Sequence, residues 1–91
     1  NGYGATYDKQ GKLWYVDFSA NGGAVYIENP DGTPASFSPL IGTALGGNSN
    51  NTGIGTDTDG NILLSRNSRL FKLDAGTGRI LASWQAPVRA N

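Results

Sequence analysis

The apolar residues of this chain come in short runs, each closed within a few positions by Gly, Asn, Asp or Pro. Between Asp57 and Pro87 the runs are Ile62–Leu64, Leu70–Leu73 and Ile80–Trp84. None is long enough for a stable helix, so each is expected to be a strand. The first half carries a looser version of the same order. Whatever this chain folds into must therefore accommodate short strands and tight turns laid out twice.

Taken in order, Gly2–Tyr7 opens the chain as a strand-like run and ends at the turn Asp8-Lys9-Gln10-Gly11. Lys12–Phe18 follows as the most β-prone segment. Its alternation sends Leu13 and Tyr15 to one face and Trp14, Val16 and Phe18 to the other. With apolar residues on both faces, this strand is expected to be covered on both sides. Asn21-Gly22 signals a hairpin, and Ala24–Glu28 is the third strand. Asn29-Pro30-Asp31-Gly32 is a turn in which Pro sets φ and Gly accepts a positive one. Thr33–Leu40 contains Pro34 and Pro39, which lack the N–H a ladder needs, so it is expected at an edge. Ile41–Leu45 reads as an irregular connection, and Gly46–Thr52, free of apolar residues, as a linker.

Beyond the linker the order recurs. By residue type, Gly53–Thr58 answers Gly2–Tyr7, Asp59-Gly60 answers the turn at Asp8, and Ile62–Ser65 answers Leu13–Val16. Leu70–Asp74 answers Ala24–Glu28, Gly78 answers Gly32, and Trp84 answers Phe37. A unit of four short strands recurring at about 40–50 residues has the spacing of propeller blades. The expected fold is all-β, two four-stranded antiparallel blades of a β-propeller, with residues 1–45 and 53–91 as the blades and 46–52 between them. Two blades leave the ring open, since propellers close with roughly four to eight. The missing blades would come from the same longer protein or from other copies of this chain. An eight-stranded sandwich or barrel is the rival.

Composition narrows the function classes. Lys plus Arg and Asp plus Glu are 7 each, and the formal net charge is zero. Nucleic acid is therefore not an expected partner, because displacing its counterions needs a basic face. Arg66, Arg69, Lys72 and Arg79 read as a solvated edge. Cys, His and Met are all absent, which removes thiolate ligands, disulfides and the usual general base. No apolar run approaches a membrane span, and no signal-peptide pattern is present. The chain opens on Asn1 rather than Met, as expected of a processed chain or a piece of a longer one. Few lysines and many uncharged polar turn residues point to an extracytoplasmic setting, periplasmic or secreted.

Leu73-Asp74-Ala75-Gly76-Thr77-Gly78-Arg79 resembles the blade motif of quinoprotein-like (PQQ-type) β-propellers, in which Leu-Asp-Ala, Thr-Gly and a basic residue lead into a strand bearing a Trp. In that family the Trp would fall at Ala82; here it is Trp84, on the same strand face. Asp8–Asp17, with its Gly-Lys-Leu-Trp-Tyr-Val-Asp, and Glu28–Gly32 resemble motifs of the virginiamycin-lyase and NHL-like propellers. The resemblance implies a blade scaffold. It would bring PQQ or calcium, and a quinoprotein dehydrogenase or lyase activity, only with additional blades.

Few residues stand out as candidate chemistry. Asp57, Asp59 and Asn61 sit at alternate positions of a turn, as calcium ligands do, but Ile62 occupies the Gly position of such a loop and Ser68 that of its bidentate Glu. Asp-Gly-Asn is also what a tight turn requires by itself. Asp8 and Asp59 read as carboxylates capping their own turns. Asp17 interrupts an apolar strand on the face of Leu13 and Tyr15. It and Arg66, near the end of the matching strand, are the candidates to line a central channel. Tyr3, Tyr7, Trp14, Tyr15 and Tyr26 are either core or a platform for sugar rings. Asn50 heads an Asn-Asn-Thr glycosylation sequon. Gly2-x-Gly4 and Gly53-x-Gly55 lack the strand-to-helix context of phosphate loops and are expected to mark close packing. The expected role is a scaffold or binding surface. A share in a quinoprotein dehydrogenase or a propeller lyase, and a carbohydrate-binding ring of several copies, are the alternatives.

Overall fold

The computed structural model of the chain describes residues 4–17, 23–41, 45, 51–66 and 69–85. Within them the chain is all-β. Strands β1 (Ala5–Tyr7), β2 (Leu13–Asp17) and β3 (Ala24–Glu28) form one antiparallel sheet in that order. Strands β4 (Asn51–Thr56), β5 (Ile62–Arg66), β6 (Arg69–Leu73) and β7 (Ile80–Gln85) form a second. Each sheet is a meander, as short turns between antiparallel neighbours require.

The first sheet departs from the expected four strands. Pro34 and Pro39 have no N–H to give, and Thr33–Leu40 forms no continuous ladder with β3, pairing at isolated bridges, Glu28 with Pro34 and Val25 with Leu40. The edge of β3 is nonetheless satisfied. Val25 exchanges two backbone hydrogen bonds with Leu40, the Ile27 N–H donates to Ser38 Oγ at 2.9 Å, and the Ile27 carbonyl accepts from Ala35 N–H. A side-chain oxygen thus stands in for a ladder carbonyl as the acceptor of the Ile27 N–H.

Alternation decides which face of each sheet is buried. In the first sheet Trp14 faces Ile27 and Val16 faces Val25 across the ladder, and all four are buried. In the second, Ile62 faces Leu73 and Leu64 faces Phe71, and these are buried too. The two sets, with Ala35, Ala75 and Leu45, make one apolar cluster, with Phe37, Leu40 and Ile54 at its margin. The sheets therefore pack face against face. Each other face is left partly open: Leu13, Tyr15, Tyr26 and Glu28 on the first sheet, and Leu63, Ser65, Leu70 and Lys72 on the second.

Two turns share one hydrogen-bond pattern. Asp8 Oδ1 accepts the Gln10 and Lys12 amides, and Asp57 Oδ1 accepts those of Asp59 and Asn61. In both, the Asp N–H donates four residues ahead, and a Gly donates back to the Asp carbonyl. Those glycines, Gly11 and Gly60, have φ of 84° and 88°, which favours residues without a Cβ. The hydrogen bonds thus match Asp57 with Asp8, whereas residue type had matched Asp59 with it. Strand register continues the match. Leu13 pairs with Glu28 and Ile62 with Leu73, so Leu73 corresponds to Glu28 rather than to Ile27. The shift of one residue exchanges the two faces of the strand.

Candidate functional site

Aspartate carboxylates, abundant in this chain, mostly serve the backbone beside them. Asp31 Oδ1 accepts the Thr33 amide and hydroxyl, and Asp74 Oδ1 accepts the amides of Gly76 and Thr77. In the Leu73–Arg79 motif, Leu73, Ala75 and Gly78 are buried while Gly76, Thr77 and Arg79 are exposed. Its residues build a turn and seat it. Hydrogen bonds from Thr33 hold the Asp31 carboxyl below its ordinary range.

Asp57 is engaged in the same way. Besides the two amides it receives Asn61 Nδ2 at 3.4 Å, with Lys72 Nζ at 3.7 Å. Partial burial raises its affinity for protons, but hydrogen bonds from Asn61 and Asp59 and the charge of Lys72 outweigh this and lower its pKa. Asp59 is exposed and donates its amide to Asp57. Among the described residues no group of three or more His, Cys, Asp or Glu converges as metal ligands would. At Asp57, Asp59 and Asn61 the Asp57 carboxylate is taken up by two amides, the Asn61 side chain and Lys72. Asn50 and Tyr3 lie outside the described residues.

A buried polar constellation forms at Asp8, expected as a carboxylate capping its own turn. Asp8 is 6% exposed. Its Oδ2 accepts the Trp14 indole N–H at 2.9 Å and lies 3.0 Å from Lys12 Nζ. Burial pushes the carboxyl pKa up, but the hydrogen bonds from Trp14 and Lys12, with the lysine charge, bring it below the ordinary value. The available signal was the Asp-to-Trp spacing, which places a turn acceptor beneath the first inward aromatic of β2. The group is structural, since all its capacity is spent on the fold.

Asp17 and Arg66 end the central strands of their respective sheets but lie on opposite kinds of face. Asp17 pairs with Ala24 and is half-buried on the face of Tyr15, away from the second sheet. Arg66 follows Ile62 and Leu64 onto the face turned towards the first sheet, where it is 2% exposed. Its Nη1 donates to the Gly23 carbonyl at 3.1 Å, and burial lowers its pKa from the usual guanidinium range. Arg66 therefore ties the two sheets together.

The aromatic residues divide similarly. Trp14 is core and lies 5.7 Å from Phe37 between ring centroids. Tyr15 and Tyr26 stack at 5.5 Å on the open face of the first sheet, with Tyr15 Oη donating to Glu28 Oε2 at 3.2 Å. Desolvation and that carboxylate both raise the Tyr15 pKa. Tyr7 is 67% exposed. No family model and no curated protein matches the chain.

Proposed function

We propose that this chain is a two-blade segment of an extracytoplasmic β-propeller, serving as a scaffold or binding surface. One observation carries the reading. When the Asp8 and Asp57 turns are matched, the buried face of the first sheet (Trp14, Val16, Val25, Ile27) corresponds to the open face of the second (Leu63, Ser65, Leu70, Lys72). The open face of the first (Leu13, Tyr15, Tyr26, Glu28) corresponds to the buried face of the second (Ile62, Leu64, Phe71, Leu73). The sheets are stacked head to tail. Units related by rotation about a ring axis pack in this way, whereas two matched halves facing each other across a two-fold sandwich would bury the same face.

Close approach of the first strands supports the same reading. A Cβ on Gly4 would stand 3.0 Å from Ile54 Cγ2 and 3.3 Å from the Ile54 backbone nitrogen. The neighbouring strands β1 and β4 converge there, as inner strands do around an axis. The extracytoplasmic setting draws on the scarcity of lysine and the polar uncharged turns.

A tandem fusion of two and then three copies of the chain tests the proposal. A blade segment closes into a monomer that unfolds in a single transition at higher temperature than the single chain. Independent sandwiches would behave as beads, with the melting temperature of the single chain, and that result would refute the blade reading.

A further inference from the structure

We infer that the open face of the second sheet is a docking surface for the open face of the first sheet in another copy of this chain. The inference rests on the head-to-tail reading and names the partner it implies. Both faces are apolar at their centres and half-buried or exposed: Leu63, Leu70 and Trp84 on one, Leu13, Tyr15 and Tyr26 on the other. Trp84 joins its face because it pairs with Leu70 across the β6–β7 ladder.

The charges select this pairing over others. The first sheet's open face carries the carboxylates of Asp17 and of Glu28, which accepts from Tyr15 Oη, and the second's carries Lys72, whose Nζ lies 3.7 Å from Asp57 Oδ2. By turn and register, Lys72 corresponds to Ile27 and Glu28 to Leu73, and both counterparts are 0% exposed within the seam between the two sheets. Repeating that seam between two copies brings Lys72 of one and Glu28 of the other to the positions that Ile27 and Leu73 occupy inside the chain. Two apolar members of the core cluster are thus answered, at the matching positions between chains, by one cation and one carboxylate. Two copies of the same face would instead set carboxylate-bearing face against carboxylate-bearing face, or the Lys72 face against itself, which like-charge repulsion disfavours.

The contact is heterologous, so every docked copy presents the same two faces again. It closes into a ring where the rotation allows, or continues as a filament. With two sheets per copy, a ring of roughly two to four copies reaches the four to eight blades at which propellers close.

Native mass spectrometry and light scattering on the 91-residue chain provide the test. The unaltered chain is expected to assemble with rising concentration. Lys72→Glu and Glu28→Lys should each weaken assembly by about tenfold or more, and an equimolar mixture of the two should restore it, because mixing regenerates an opposite-charge pair at every contact of an even-numbered ring or a filament and at two of the three contacts of a three-copy ring. Far-UV circular dichroism checks that each variant is folded. Leu70→Asp and Tyr26→Lys supply a second pair with the same expected loss and rescue, should either charge variant fail to fold. A chain that stays monomeric at all concentrations, single variants that assemble unchanged, or a mixture that stays apart each overturns the inference. Tandem closure alongside a monomeric free chain removes the second copy as partner and leaves the blade reading standing.

Discussion

Trp14 donates its indole N–H to Asp8 Oδ2 at 2.9 Å, joining the deepest aromatic of the core to a turn carboxylate six residues earlier. The same carboxylate caps the Gln10 and Lys12 amides and holds the Lys12 ammonium. One side chain therefore fixes the turn, the start of β2 and the tilt of the indole.

Replacing this group isolates what its charge does. Asp8→Asn keeps an oxygen for the two amides but turns an NH2 towards the indole N–H and the ammonium. The expected cost is about 1–3 kcal/mol, the range for leaving buried polar groups poorly partnered, measured by urea denaturation. The pH dependence has a definite sign. Asp8 ionises more readily folded than unfolded, so the unfolded state binds more protons in acid. Its stabilisation is complete above the ordinary carboxylate range near 3.9 and is lost as pH falls through the lower folded value. Asp8→Asn should flatten that acid limb. Asp57→Asn should cost less, because Asp57 is the more open of the two and has no indole partner.

Arg66 offers a test of how the sheets are joined. Arg66→Met keeps the length and apolar stem but removes the donor to the Gly23 carbonyl. A loss of about 1.5–3 kcal/mol is expected, the range for hydrogen bonds to charged groups, seen as a lower denaturation midpoint. The loss should appear in probes of both sheets together. Unfolding of one sheet ahead of the other would show that the guanidinium serves its own sheet alone.

Much of this architecture was legible because its causes are local. Alternation in Lys12–Phe18 separated Leu13 and Tyr15 from Trp14 and Val16, and Asp and Gly named the turns; cover on both sides of that strand was expected, but only the Trp14 and Val16 face is fully buried. The missing fourth strand of the first sheet follows from the same two prolines that marked it as an edge. Bridges at only Pro34 and Leu40 were beyond prediction, because Ser38 Oγ does the work of a backbone acceptor for the Ile27 N–H. Register was misplaced by one residue in β3 and β6, since residue type aligned Leu73 with Ile27 while pairing aligns it with Glu28. Chemical similarity cannot align these two halves, because positions matched by turn and register have opposite burial. Arg66 was hidden for a similar reason. A guanidinium ordinarily marks surface, and its position on the buried face depends on a carbonyl 43 residues away in sequence.

The glycines flanking the first strands separate packing from backbone freedom. At Gly4 a Cβ would meet Ile54 Cγ2 at 3.0 Å, whereas at Gly55 nothing lies within 4 Å. Gly4→Ala is therefore expected to cost about 1–3 kcal/mol through overpacking. Gly55→Ala should be neutral or stabilise by up to about 1 kcal/mol by restricting the unfolded chain. Thermal unfolding of the two variants side by side checks the contrast, and equal effects would mean that Gly4 is not tightly packed against Ile54.

Gly78 combines both constraints at the far side of the seam. Its φ is 77°, and a Cβ there would stand 2.8 Å from Phe37 Cδ2 and 3.1 Å from Leu40 Cδ2, both contributed by the first sheet's edge segment. Gly78→Ala is expected to lose more than the roughly 1–2 kcal/mol that left-handed backbone costs a residue with a Cβ, because the edge segment must also move. Adding Phe37→Leu opens space for the methyl group but leaves the backbone strain in place. The double variant should therefore recover part of the loss, with a coupling of about 0.5–3 kcal/mol in a double-mutant cycle read by urea denaturation. Simple additivity would mean that the turn after β6 does not press on the first sheet, and the seam would then be looser than the geometry shows.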